Sequence, residues 1–210
     1  MKTSVERTIK NLETNNFEVF YVENTIEAYE LFTEEIFKVL SPRTVSYGDS
    51  LTMHECRIID FLKEEKDIDF IDTFSEDDSW REQIMKRKEA LSADLFVTGT
   101  NAITESGQLV NLDMIGNRVG GICFGPRYVV LFVGVNKIVK NLEEAFNRVR
   151  NLAAPANSRV HENLKTPCKV TGVCHDCKSP QRLCNTWTIN EKSYPQKRIK
   201  IILINEELGF

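Results

Sequence analysis

Four cysteines, Cys168, Cys174, Cys177 and Cys184, fall within seventeen consecutive positions near the C-terminus. Pro167, Thr171-Gly172 and Ser179-Pro180 supply turns between them. A short, turn-rich segment that folds back on itself can aim four soft sulfur ligands at one point. An iron–sulfur cluster in such a cage, of the 4Fe–4S kind, would mean electron transfer or redox sensing. Zinc would make the segment a structural staple, and unliganded thiols are the third alternative. A zinc ribbon would show two Cys-x-x-Cys knuckles, and only Cys174 with Cys177 has that spacing, which favours iron–sulfur over zinc. His175, inside that knuckle, is an alternative ligand, although four thiolates already close a site.

A second set of candidates consists of polar turns beside apolar runs. Val45 to Thr52 reads as strand, turn and helix start: Gly48 permits close backbone approach, while Ser50 and Thr52 can cap the helix, Thr52 and Glu55 having capping-box spacing. Asp49 argues against a phosphate in that turn. The passage Thr98-Gly99-Thr100-Asn101 to Gly107 follows another apolar run, at the kind of strand end where open α/β sheets place their sites. It also has the chemistry of a hairpin, because Glu105-Ser106-Gly107 is turn-forming and Leu109 to Leu112 is extended in pattern. Asn117 and Arg118, before the pair Gly120-Gly121, suggest a short helix packed closely on a sheet. Arg118 can serve a carboxylate ligand or an internal ion pair. Cys123 reads as a small buried apolar residue, and Cys56, His54 and His161 are isolated. The chain has no Gly-x-Gly-x-x-Gly fingerprint, no P-loop and no nucleophile elbow.

The elements that must hold these residues alternate in type. Val5, Ile9 and Leu12 mark a helix, and Phe17 to Val22 a strand. Asn24 caps a second helix whose apolar face is Tyr29, Phe32, Ile36 and Val39, stopped by Pro42. Arg43 to Tyr47, Ile68 to Ile71, Asp94 to Thr98, Tyr128 to Gly134 and Ile199 to Ile204 are predicted strands, the fourth a near-continuous apolar run of the kind buried on both faces. One helix is expected through Ile58, Ile59 and Leu62, another from the acidic start 76–78 through Trp80, Ile84 and Leu91. A third is capped by Asn141, with Leu142, Ala145, Phe146, Val149 and Leu152 on one face. Strands alternating with helices predict a parallel α/β sheet in one domain spanning 1–210, with 155–187 as a cysteine-rich insertion before the last strand.

The 210 residues carry 27 basic against 31 acidic side chains, a formal net charge of −4 that argues against a nucleic-acid surface. No run approaches the length of a membrane span, and no apolar stretch follows the N-terminus as in a signal peptide. A cytoplasmic chain is expected, which makes disulfides an unfavoured use of the cysteines.

Ala93-Asp94-Leu95-Phe96-Val97-Thr98-Gly99-Thr100-Asn101-Ala102-Ile103-Thr104-Glu105 closely resembles the signature of the LUD-domain family, the lactate utilization proteins. Gly116 to Val119, Gly125-Pro126, Val135 to Val139, Ala153 to Asn157 and Leu203 to Phe210 resemble the same family. The resemblance implies a Rossmann-like α/β sandwich shared with ribose-5-phosphate isomerases and CoA transferases. It further implies a part in a lactate-oxidizing iron–sulfur assembly, with a redox partner protein. It makes Glu105 the reactive carboxylate and Gly48, Ser50, Thr52, Gly99, Thr100, Asn101, Asn117 and Arg118 the cleft for a small anion or carboxylate substrate. The family's first turn usually reads Gly-Gly-Ser, and Asp49 departs from it. Many members lack the cysteine cage. Two alternatives stand beside the redox reading: a stand-alone isomerase or acyl-transfer enzyme with structural zinc, and a non-catalytic scaffold.

Overall fold

The computed structural model describes residues 2–161 and 163–210. A six-stranded parallel sheet forms its centre, in the order β1 (Glu18–Val22), β10 (Ile199–Ile204), β7 (Tyr128–Gly134), β4 (Leu95–Thr98), β2 (Thr44–Tyr47), β3 (Asp69–Ile71). Helices cover both faces, as they must when a parallel sheet is connected by crossovers. The result is a Rossmann-like α/β arrangement. On one face Phe32, Met53, Ile58, Leu62 and Phe132 pack together; on the other Leu12, Phe96, Ile122, Leu131 and Ile201 do. The strands read as almost unbroken apolar runs because both of their faces are covered.

A second, four-stranded sheet has the order β8 (Ile138–Val139), β5 (Ala102–Thr104), β6 (Leu109–Asp113), β9 (Thr186–Asn190). β5 and β6 form the expected hairpin, with Gly107 at φ +83° in its turn, a conformation that suits glycine. β9 adds to it from just beyond the cysteines, so the chain after Cys184 builds sheet before returning to β10. Short, half-exposed strands set among polar residues carry little of the alternation that marks a sheet, which is why this layer was not foreseen beyond its hairpin.

Three helix expectations are corrected. The segment 51–64 is two helices, Leu51–Glu55 and Ile58–Glu64, broken where Arg57 adopts φ +58°. The capping box foreseen at Thr52 does not form; Thr52 is buried inside the first of these helices and bonds Lys137 instead. Cys123 ends its helix, Asn117–Cys123, and is exposed.

The other correction has one cause acting twice. The helix over 25–40 contains a wide turn in which the Phe37 amide bonds the Phe32 carbonyl, five residues back. The helix over 142–160 repeats this between Ala154 and Val149. An extra residue per turn rotates everything after it by about a quarter turn relative to the 3.6-residue period. Val39 therefore points outward at 83% exposure, although its spacing placed it on the core face. Likewise Leu152 is half exposed and Ala153 takes the buried position. Ile36→Ala should cost roughly 2–5 kcal/mol, as for a buried aliphatic, whereas Val39→Ser should stay within about 0.5 kcal/mol. Chemical denaturation of both variants checks this, and an equal loss would contradict the shifted phase.

Candidate functional site

The order of the strands fixes where a site can lie. From β2 the chain moves outward to β3; from β4 it moves the other way, through β7 to β10. The carboxyl ends of β2 and β4 are thus where the winding reverses, and the loops leaving them diverge to open a crevice. A cleft of about 680 Å³ opens there. Ser50, Gly99, Thr100, Asn101, Asn117 and Arg118 all line it, so six of the sequence candidates converge. Gly48 and Thr52 sit just behind the wall.

The loops meet closely. A side chain at Gly99 would stand 2.5 Å from Ser50 Oγ, and one at Gly48 would stand 2.9 Å from the Arg118 stem. The Arg118 guanidinium is committed to internal acceptors. It donates to Gly99 O, Asn111 Oδ1, Asn101 Oδ1, Leu112 O and Asp113 Oδ1, with the Asp113 contact at 2.7 Å. Thr100 Oγ1 donates to the same Asn111 Oδ1, and Asn101 Oδ1 also accepts the Leu112 amide. Of the two roles open to Arg118, the internal ion pair is the one built. These polar residues hold the loop that leaves the main sheet for the second one.

Glu105 is not at the cleft. It caps the tip of the hairpin, where Ser4 donates to it at 2.5 Å and Arg7 pairs with it at 2.7 Å. The hairpin turns Glu105, the carboxylate that the family resemblance makes reactive, onto the first helix, Lys2–Thr14.

Lys137, within the run Val135 to Val139, does face the cleft. It ends the short turn Val135–Lys137 after β7, where the chain again passes into the second sheet. The side chain is 3% exposed, and its Nζ donates to Thr52 Oγ1 at 3.0 Å. Burial, reinforced by Arg148 and Arg118, pushes its amine down to about 7, against a smaller opposing pull from Glu55 and Cys56. Arg87 lines the cleft as well, stacked over Phe74 and Trp80, with a buried Nε that has no hydrogen-bond partner. Burial lowers Arg87 too. Among the described residues neither Arg87 nor Lys137 has an ion-pair partner. A lone lysine or arginine in a helical or loop pattern carries no sequence signal of this; the packing creates it. Asp49, whose carboxylate argues against an anion in this turn, lines the cleft and shares a hydrogen bond with His54 Nε2 at 2.7 Å.

The cysteine segment forms another wall, through His161, Leu164 and Leu183. Burial raises the Cys184 thiol, and Cys174, Cys168 and Cys177 add to the rise, so the other three sulfurs lie within electrostatic reach of it. Arg182 draws the loops together by donating to the carbonyls of Cys177 and Cys184. The Asp176 amide donates to Cys174 Sγ at 3.4 Å. All six cysteines are free thiols. Among the described residues no three His, Cys, Asp or Glu side chains are drawn into a group that could hold a metal ion. No helix among them is long and apolar enough to cross a membrane.

With the fold and cleft in hand, the chain can be placed. It matches the LUD domain over residues 5–204 and belongs to that family, which makes it lactate-utilization-related at the level of the family. A solved structure, a DUF162 family protein from Deinococcus radiodurans, superposes with a TM-score of 0.51 at 15% identity, covering 97% of this chain and 98% of that one. At that identity the likeness speaks for the fold alone. No curated protein matches the chain.

The depressed amine has a consequence for stability. A lysine that holds its proton less tightly when folded makes the unfolded chain the better proton binder between about pH 7 and its unfolded value near 10.5. Its penalty on folding is complete below pH 7 and fades as pH rises through that window. The stability of Lys137→Met relative to the native chain should therefore fall steadily from pH 7 to pH 9.5. A difference independent of pH, measured by urea unfolding, would contradict a buried amine without compensation.

Proposed function

We propose that this protein acts in the oxidation of lactate or a similar small hydroxy acid. In this reading the cleft at the β2–β4 reversal receives the acid. A four-thiolate iron–sulfur centre on Cys168, Cys174, Cys177 and Cys184, of the 4Fe–4S kind, supplies one-electron chemistry when bound. A redox partner protein exchanges the electrons, since the chain has no dinucleotide fingerprint of its own.

One juxtaposition carries this reading. Leu183, adjacent in sequence to Cys184, lines the same cleft as Ser50, Thr100 and Lys137. Cys184, which would be one ligand of such a centre, is the next residue along the chain from that wall. The donor set is chemically apt: three further thiols within electrostatic reach of Cys184 suit an iron–sulfur cluster, and zinc as the alternative. The sulfurs would have to converge to ligate either one, and the turns at Gly172 and Ser179-Pro180 permit that. The remaining parts are supplied by the chain. The uncompensated charge of Arg87 attracts a carboxylate, the Ser50 hydroxyl and the Asn117 side chain offer polar contacts, and Leu112, Leu164 and Leu183 exclude water.

Purification under strict exclusion of oxygen should yield iron and acid-labile sulfide in similar amounts. A visible charge-transfer absorption should accompany them and be lost in Cys174→Ser. A colourless protein holding stoichiometric zinc, or no metal at all, would defeat the redox assignment. Arg87→Met should weaken binding of lactate or pyruvate by about tenfold, the effect of losing one charge-assisted contact worth roughly 1.5 kcal/mol. Unchanged affinity by calorimetry would remove Arg87 from the site.

A further inference from the structure

Lys137 does more than add positive charge to the cleft. The groups facing its Nζ from the packed elements are Thr52, Glu55 and Cys56 around the helix after β2, Arg118 on the helix over 117–123, and Arg148 on the helix over 142–160. None of the carboxylates pairs with it, and two arginines oppose a further cation. Its amine is half neutral near pH 7, fixed at the end of a central strand in a desolvated cleft. A neutral, immobilised, partly dehydrated primary amine is a nucleophile toward carbonyl carbon.

We propose that Lys137 forms a reversible imine with the C2 carbonyl of a small 2-oxo acid bound in this cleft. This rests on the acid-binding reading above for the class of ligand, and extends it to covalent capture of the oxidized form. The Nζ lone pair attacks C2 and the carbonyl π pair moves to oxygen. A proton passes from nitrogen to that oxygen, giving a carbinolamine. The oxygen takes a second proton from solvent and leaves as water while nitrogen forms C=N; the resulting iminium returns one proton to solvent. One amine and one carbonyl become one imine and one water, with no change of oxidation state. Thr52 Oγ1, 3.0 Å from Nζ, is placed to hold the amine's lone-pair direction and to relay the first proton. Arg87 lines the same cleft and offers the acid's carboxylate a cation that has no carboxylate of its own. A volume of about 680 Å³ exceeds what a three-carbon acid fills, so longer 2-oxo acids fit as well.

The test treats the intact chain at pH 7.5 with pyruvate or 2-oxoglutarate and sodium cyanoborohydride, followed by intact mass and peptide mapping. The expected result is a single reduced adduct at Lys137, formed at least tenfold faster than at any other lysine of the same sample. Lys137→Arg should abolish it while leaving the melting temperature close to native. Because the map compares lysines within the unaltered chain, it holds even where the variant folds poorly. Adducts scattered over exposed lysines, with none at Lys137, overturn the proposal. Calorimetry in parallel separates the two readings. Binding of the acid without an adduct sinks the imine and leaves the acid site standing, whereas absence of both binding and adduct overturns both.

Discussion

The buried guanidinium of Arg118 is the constraint on which the arrangement of this molecule turns. Five acceptors from two stretches of chain, 99–101 and 111–113, converge on it: a carbonyl just after β4, the side chains of Asn101 and Asn111, and the carbonyl and carboxylate at Leu112 and Asp113. Each of these groups is desolvated by the junction of two sheets. Leaving any of them without a partner would cost about 1–3 kcal/mol. A planar, permanently charged fork with five donors satisfies them together, and a lysine could not. Asp113 completes the balance of charge and takes the Val119 amide as well, so the helix carrying Arg118 is tied to the strand it serves.

From that clamp the location of the cleft follows. β4 leaves the main sheet through Gly99 to Asn101 and becomes β5; β7 leaves through the turn ending at Lys137 and becomes β8. Two neighbouring strands therefore pass into the second sheet side by side, and the space at their exits is the crevice of the winding reversal. A Cβ at position 99 would displace the Ser50 hydroxyl, so the two loops meet closely at the exit of β4. The same crowding also strips Lys137 of water without giving it a carboxylate, the condition under which an amine becomes neutral near pH 7.

How much of this the sequence disclosed depends on range. Central strands announce themselves by composition, because both faces need apolar side chains; β4, β7 and β10 were legible for that reason. Local caps were legible too: Asn24 accepts from the Glu27 amide and Asn141 from the Glu144 amide, as their spacing implied. Phase beyond a wide turn was not legible, since Val39 and Leu152 keep a regular spacing that the backbone does not. The cleft residues were named from turn chemistry, but their division into clamp and site depends on contacts between stretches far apart in the chain. Arg118 and Asn101 proved to be the clamp. Glu105 is held by Ser4 and Arg7 about a hundred residues away in sequence, a partnership no local pattern encodes. Lys137 lacks any local mark, for its character comes from Thr52, Arg118 and Arg148.

The charge pattern separates local from global electrostatics. The chain is acidic overall, at −4, which by itself would repel an anion. At physiological ionic strength surface charges are screened within about 8 Å, so the net value says little about a recessed site. Inside the cleft Asp113 is paired with Arg118, and Asp49 shares a hydrogen bond with His54. Arg87 is left over as a cation without a carboxylate, in surroundings whose low polarity magnifies it, whereas Lys137 sheds its charge near pH 7. An anion entering from an unfavourable distant field meets a favourable near one.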